Sequence, residues 1–176
     1  MKPTESLSRN TEAVADFLTA IIMRELTTLS HEGYLNPSDP NMISADDRRK
    51  LVDWCYSFVD HCQLSRETVA SAMDMVDRFL SMPSNSVDAA RVSDEALRDQ
   101  SQFQLLTIAA LYSSIKVHER VALSSDQFAE ICSRAYTAEE IEDMERILLS
   151  GLSWRCHAPT AHQIGLSILS LILPYV

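Results

Sequence analysis

Residues 101–119 read S-Q-F-Q-L-L-T-I-A-A-L-Y-S-S-I-K-V-H-E, and this stretch decides the fold. From Phe103 to Tyr112 the apolar residues Phe103, Leu105, Leu106, Ile108, Ala109, Ala110, Leu111 and Tyr112 fall on every side of a helical projection, with no Gly or Pro among them. A helix that is hydrophobic all round is a buried helix. The apolar run, roughly 10 residues, is half of the roughly 20 that a bilayer requires. It therefore predicts the interior of a soluble, all-helical domain. The Ala109-Ala110 pair keeps it thin and lets neighbouring helices approach. Its last turn changes to Ser113, Ser114, Lys116, His118 and Glu119, so that end is predicted to emerge at the surface carrying Lys116. A lysine there also suits the negative end of the helix dipole, worth about 0.3–1 kcal/mol.

Composition points the same way. The chain has 176 residues, 46% of them hydrophobic, with only 3 glycines and few β-branched runs, which favours helices over strands. The formal net charge is −10. Phosphate backbones are bound mainly through Lys and Arg, so no nucleic-acid partner is expected, and a partner with basic surfaces fits better. Cys55, Cys62, Cys132 and Cys156 form no CxxC and read as reduced, mostly core residues of an intracellular protein. The start, M-K-P-T-E-S-L-S-R-N, lacks the apolar core of a signal peptide. Ile164 to Leu173 is apolar but too short to span a membrane, so no membrane association is expected.

Taken in order, residues 1–10 are expected to lack regular structure. Val14, Phe17, Leu18, Ile21, Ile22, Leu26 and Leu29 have helical spacing over about residues 11–30. Gly33, Pro37 and Pro40 mark a loop. Ser44 is an N-cap for a helix whose core face is Leu51, Trp54, Cys55, Phe58, Val59 and Cys62. Ser65 caps the next, with a stripe of Val69, Met73, Val76 and Leu80 supported by Ala72 and Phe79, stopped by Pro83. Residues 83–100 are polar and weakly patterned, and read as a surface excursion with a helical turn near 93–98. Ser124-x-x-Gln127, Thr137-x-x-Glu140 and Thr160-x-x-Gln163 are capping boxes. The first two open helices of about 125–134 and 138–151, the latter ended by Gly151, and the third opens a final helix.

Two sets of charges sit awkwardly. Glu145 falls inside the apolar stripe of Ile141, Met144, Leu148 and Leu152. A carboxylate there needs a partner, because burying it alone is costly, and Lys116 is the candidate. On periodicity alone the pattern favours a structural ion pair, or a Glu that reaches to solvent. Arg48, one turn before Leu51, and Asp77, beside Val76, would meet if their helices packed antiparallel, as an ion pair fixing helix register. No catalytic constellation stands out. The five histidines make no HExxH or zinc spacing, and there is no GxGxxG, GxxxxGK[ST] or GxSxG. No metal, no cofactor, no small-molecule substrate and no enzymatic activity are expected.

Five motifs in order then resemble a cyclin, specifically the first cyclin box: R-R-K-L-V-D-W at 48–54, M-V-D-R-F-L-S at 75–81, Q-L-L-T-I-A-A-L-Y-S-S-I-K-V-H-E at 104–119, Y-T-A-E-E-I-E-D-M-E-R-I-L-L at 136–149 and L-S-W-R-C-H-A-P-T at 152–160. The resemblance covers roughly residues 44–160. It implies a five-helix cyclin box around the central buried helix, preceded by an extra N-terminal helix. The domains would be 1–43 (N-terminal helix and linker), 44–158 (cyclin box) and 159–176 (the start of a second, truncated helical region). It further implies a regulatory subunit that binds and activates a cyclin-dependent protein kinase, resident in nucleus and/or cytoplasm. A cyclin-fold, transcription-associated adaptor without a cell-cycle role is the alternative. Carried over residue by residue, Arg48 and Asp77 match the structural ion pair, Leu105 the leucine of the central helix, and Lys116 and Glu145 the pair that contacts the kinase. Ile115, Val117, Leu149 and Trp154 would be apolar contacts around that pair. The chain departs from the family pattern at the substrate-docking patch, where D-R-R-K-L stands for M-R-A-I-L. With Asp47 and Lys50 at two apolar positions, the set Asp47, Lys50, Leu51, Trp54 and Gln104 reads as degenerate. The connection at 83–100 is also longer than usual.

Overall fold

The computed structural model describes residues 12–23, 32–35, 42–81, 86–121, 123–156 and 160–172. Residues 1–10, the loop around Pro37 and Pro40, and Pro83 lie outside them. All regular structure in the described residues is helical: α1 (12–23), a 3-10 turn (Glu32–Leu35), α2 (Ala45–His61), α3 (Arg66–Ser81), α4 (Val87–Ala96), α5 (Gln100–His118), α6 (Ser125–Ile131), α7 (Ala138–Gly151) and α8 (Ala161–Ile172). Residues 30–156 form one compact unit; the two ends of the chain, 1–29 and 157–176, form another. In the end unit Ile21 is buried, whereas Phe17, Ile22, Met23, Leu166, Ile168 and Leu169 are exposed. No described helix is long and apolar enough to cross a membrane.

The helix starts are set by side chains that satisfy otherwise orphaned N–H groups. Ser44, Ser124 and Thr137 each accept from the backbone N–H three residues on, and Asp47, Gln127 and Glu140 reciprocate. The boxes at 124 and 137 were readable from sequence; the one at Ser44 uses Asp47, so this residue of the docking-patch set is an N-terminal cap. Glu140 is held below the usual carboxylate range chiefly by the Thr137 backbone N–H, and Asp47 chiefly by the Ser44 side chain. The Gln163 side chain, which would complete the third box, is outside the description.

In the larger unit α5 is the axis. Every residue from Phe103 to Ile115 except Gln104 is buried, Leu105 included, and α2, α3, α4 and α7 pack around it, most heavily α3 and α7. A run of rings ties α2 and α6 to it: Trp54 to Phe58 at 5.6 Å, Phe58 edge-on to Phe128 at 5.2 Å, and Phe128 to Tyr112 at 5.2 Å. The predicted core faces of α2 and α3 are turned inward, with Leu51, Trp54 and Cys62 only partly buried. Cys55 and Cys132 are buried, Cys62 and Cys156 partly so, and all four are free thiols.

One expectation is corrected and another is refined. Residues 86–100, the described part of the expected surface excursion at 83–100, do not form one, since α4 spans Val87–Ala96, is capped by Ser86 and buries Ala89, Val92 and Ala96 against α5, α7 and α3. The five expected helices (α2, α3, α5, α6, α7) thus share their core with a sixth. Gly151 ends α7 as expected, though not in a left-handed cap. It is the last helical residue, its φ is not positive, and a Cβ there would lie 2.6 Å from Phe79 Cε2 and 3.0 Å from Ala89 Cβ. Its missing side chain lets α3 and α4 approach α7. The left-handed residues that turn the chain are Ser153 and Trp154, at φ 52° and 60°.

Candidate functional site

Helix α5 passes through the core and delivers Lys116 to the surface in its final turn; α7, packed along it, delivers Glu145. Because α7 is amphipathic, with Ile141, Met144 and Leu148 inward, Glu145 has to sit at the seam between the two helices. Its side chain is 10% exposed, that of Lys116 46%. Lys116 Nζ donates to Glu145 Oε2 at 2.8 Å and to Oε1 at 3.0 Å, and the buried Ser113 hydroxyl donates to Oε1 at 2.9 Å. The lysine ammonium also lies 4.7 Å from the centre of the Tyr112 ring, a cation–π position. Three hydrogen bonds from two donor groups thus answer the buried carboxylate, as burial of a charge demands.

The pair forms part of the wall of an open groove of about 290 Å³, also lined by Glu142, Arg146, Leu149 and Trp154. Trp154 is 70% exposed, on a left-handed turn held by its N–H to the carbonyl of Leu149 at 2.8 Å. Leu149 is half-buried and Val117, on the last turn of α5, is exposed. The structure therefore brings Lys116, Glu145, Leu149 and Trp154 together. It places Ile115 elsewhere: this residue has no exposed surface, because one residue back from Lys116 the helix still faces the core. Ser113, Glu142 and Arg146 belong to the site and were not anticipated; the only signal for Ser113 is its position one turn before Lys116 on the same face.

Arg48 and Asp77 meet as a bidentate pair, Nε to Oδ1 at 2.9 Å and Nη2 to Oδ2 at 2.6 Å. A third member was missed. The Tyr34 hydroxyl, from the 3-10 turn, donates to Asp77 Oδ1 at 2.5 Å. Burial and then the Asp77 charge push the Tyr34 phenol up, and the hydrogen bond to Asp77 holds Arg48 firmly protonated. Register of α2 on α3 and attachment of the 3-10 turn thus share one carboxylate.

At the other predicted patch, Lys50 pairs at the surface with Asp46 and Asp47, Leu51 and Trp54 are partly buried against the core, and Gln104 accepts from the Tyr136 hydroxyl at 3.3 Å. The start of α2 is thus a surface of mixed charge beside two half-covered apolar residues. Among the described residues no three His, Cys, Asp or Glu side chains are grouped to hold a metal ion.

Comparison with known proteins matches residues 16–157 to a family model described as the cyclin N-terminal domain. Similar relatives include cyclin-A1 of Xenopus laevis, 30% identical over 161 residues that cover 89% of this chain and 35% of that protein. They also include G2/mitotic-specific cyclin-B3 of Gallus gallus, 31% identical over 69% of this chain and 27% of that protein. G1/S-specific cyclin-E1 of Rattus norvegicus is 27% identical over 77% of this chain and 29% of that protein. The chain therefore spans about a third of the length of the curated relatives it matches.

Proposed function

We propose, from the premise that the chain belongs to the cyclin family, that it is the regulatory subunit of a cyclin-dependent serine/threonine protein kinase, acting in cell-cycle control in the nucleus and/or cytoplasm. The observation that carries this reading is the groove beside Lys116 and Glu145, a tethered charge pair next to an exposed tryptophan. Paired to each other, the two groups keep spare capacity. Lys116 has a third ammonium proton and Glu145 has free lone pairs, which suit backbone carbonyl and N–H groups of a docked segment.

In this reading the chain supplies no catalytic group. Docking favours the kinase conformation in which the glutamate of its C-helix pairs with the ATP-binding lysine, and activation follows from binding that state better than the inactive one. Moving a kinase from 1:99 to 99:1 needs about 5.5 kcal/mol of differential binding. Already bonded to each other, the two groups offer a partner only their spare donor and lone pairs, so Trp154, Leu149 and Val117 supply most of the affinity and the polar pair the register.

The test is co-purification of cyclin-dependent kinase and histone-phosphorylating activity with the wild-type chain, against Lys116→Glu combined with Glu145→Lys. The exchange preserves the ion pair while reversing what each position offers a partner. Kinase capture by the wild type and its loss in a double variant of equal helicity is the expected result; capture by both would assign the pair a structural role only.

A further inference from the structure

We propose that Arg78, which reaches no surface of the docking groove, is a positioning residue for it: its guanidinium fixes the turn that presents Trp154. The inference rests on the docking reading above, and it concerns how that face is built.

Arg78 is 2% exposed and lies on α3 among apolar neighbours. A cation is buried only at considerable cost unless it is paired and hydrogen-bonded. Here the pairing is incomplete. Nε donates to Asp74 Oδ2 at 2.7 Å, Nη1 donates to the backbone carbonyl of Arg155 at 2.8 Å, and Nη2 is buried with no partner among the described residues. Neutralising Asp74 does not account for this, because Asp74 is one-third exposed and an exposed arginine one turn away would serve. The bond that requires burial is the one to Arg155, the residue after Trp154.

That turn combines a costly backbone conformation with a single outside hold. Ser153 and Trp154 are consecutive left-handed residues with side chains, a conformation that non-glycine residues adopt uncommonly. The N–H groups of Ser153, Trp154 and Arg155 are tied back to the carbonyls of Ser150, Leu149 and Leu152, and Cys156 N–H donates to the Trp154 carbonyl. All of these are local. Among the described residues, the Arg78 bond is the one hydrogen bond to residues 153–156 from a helix remote in sequence. It pins the turn to α3, which is itself packed against the axis helix α5. The planar fork holds Asp74 through Nε and the Arg155 carbonyl through Nη1 at fixed separation, whereas a shorter lysine would have to reach both acceptors from a single nitrogen.

The test uses the full chain carrying Trp54→Phe, which leaves Trp154 as the only indole of the two tryptophans. Arg78→Lys is introduced into it, and three quantities are compared with the parent: far-UV circular dichroism, the anisotropy decay of Trp154, and affinity for a purified cyclin-dependent kinase. With helicity retained, the fast component of the decay is expected to grow and kinase binding to weaken about tenfold or more, as loss of one charge-assisted hydrogen bond translates. An unchanged decay would overturn the proposal. A faster decay with unchanged affinity would overturn its link to docking. If the parent itself binds no kinase, the docking reading fails, and the decay alone still decides whether Arg78 holds the turn. Should Arg78→Lys not fold, Asp74→Asn keeps the guanidinium and weakens its anchor; a smaller change of the same sign is then expected, and none would overturn the proposal.

Discussion

Removing either partner of the Lys116–Glu145 pair should abolish the same interaction, yet the two removals should not cost the fold the same. Lys116→Met leaves the Glu145 carboxylate at the α5–α7 seam, 10% exposed, with the Ser113 hydroxyl as its remaining donor. Breaking a buried pair in this way costs about 3–5 kcal/mol; rehydration at the groove rim reduces that to about 2–3. Glu145→Gln keeps the shape and still accepts from Ser113, and the freed lysine, already 46% exposed, turns to water. Its cost should be about 0.5–1 kcal/mol. At about 2–4 °C per kcal/mol for a chain of this size, thermal melts should show Lys116→Met lowered by about 4–12 °C and Glu145→Gln by about 1–4 °C. Kinase affinity, measured by titration calorimetry well below both transitions, should fall in both, and by similar factors. Equal melting shifts would refute the burial argument. Affinity losses that track the melting shifts would refute the view that the pair acts on a partner and not only on the fold.

Other consequences follow from the core. Asp77→Ala strands a half-buried guanidinium and the Tyr34 hydroxyl together, so chemical denaturation should show a loss of about 3 kcal/mol, whereas Tyr34→Phe should lose about 1 kcal/mol; similar losses would mean that the hydroxyl and not the ion pair holds the junction. Gly151→Ala gains helix propensity of about 1 kcal/mol, but its Cβ meets the buried Phe79 ring at 2.6 Å. With overpacking costing about 1–3 kcal/mol, net destabilisation is expected, and a raised melting temperature would contradict the close approach. The capping carboxylates Asp47 and Glu140 titrate lower in the folded chain than in the unfolded one, so their stabilisation is present above the ordinary carboxylate range and disappears as pH falls through their lowered values. Asp74, raised chiefly by burial, works the other way: its contribution is present below the ordinary range and is lost as pH rises past its raised value. Glu140→Gln should therefore be less stable than wild type at pH 7, with the gap closing below about pH 4 in urea titrations; a constant gap would show that the cap does not depend on the charge.

What the sequence discloses here depends on how much each side chain weighs. Helix α5 is legible because its burial is written in large residues on all sides, and the seam position of Glu145 because a carboxylate within a stripe of Ile141, Met144 and Leu148 is conspicuous. Helix α4 buries as surely, yet through Ala89, Val92 and Ala96, of which two are methyl groups that barely register in a periodicity surrounded by Asp, Arg and Ser. Gly151 ends its helix where the sequence indicates, but how it does so is not legible, for a related reason. Glycine after a helical stripe signals a left-handed cap, but it equally serves where two backbones must approach, and only the position of Phe79 separates the two uses. Tyr34 and Arg78 act across gaps of 43 and 77 residues, and no local pattern encodes which distant carboxylate or carbonyl a side chain will find.

The same distinction bears on how the groove could discriminate among partners. Side chains ordered only on binding cost about 0.5–1.5 kcal/mol each. Here Lys116 rests against the Tyr112 ring, Glu145 is held by Lys116 and Ser113, and Trp154 stands on a turn fastened to α7 and α3. Each is oriented by a residue that is itself buried: Tyr112, Ser113, Arg78. The ordering cost is therefore met during folding, and in the docking reading the groove would meet a partner already shaped. Selectivity would then lie in whether the partner fits this arrangement. Substitutions at those three supporting positions would loosen selectivity as well as affinity, while substitutions at exposed rim residues such as Glu142 and Arg146 would chiefly alter the rate of encounter.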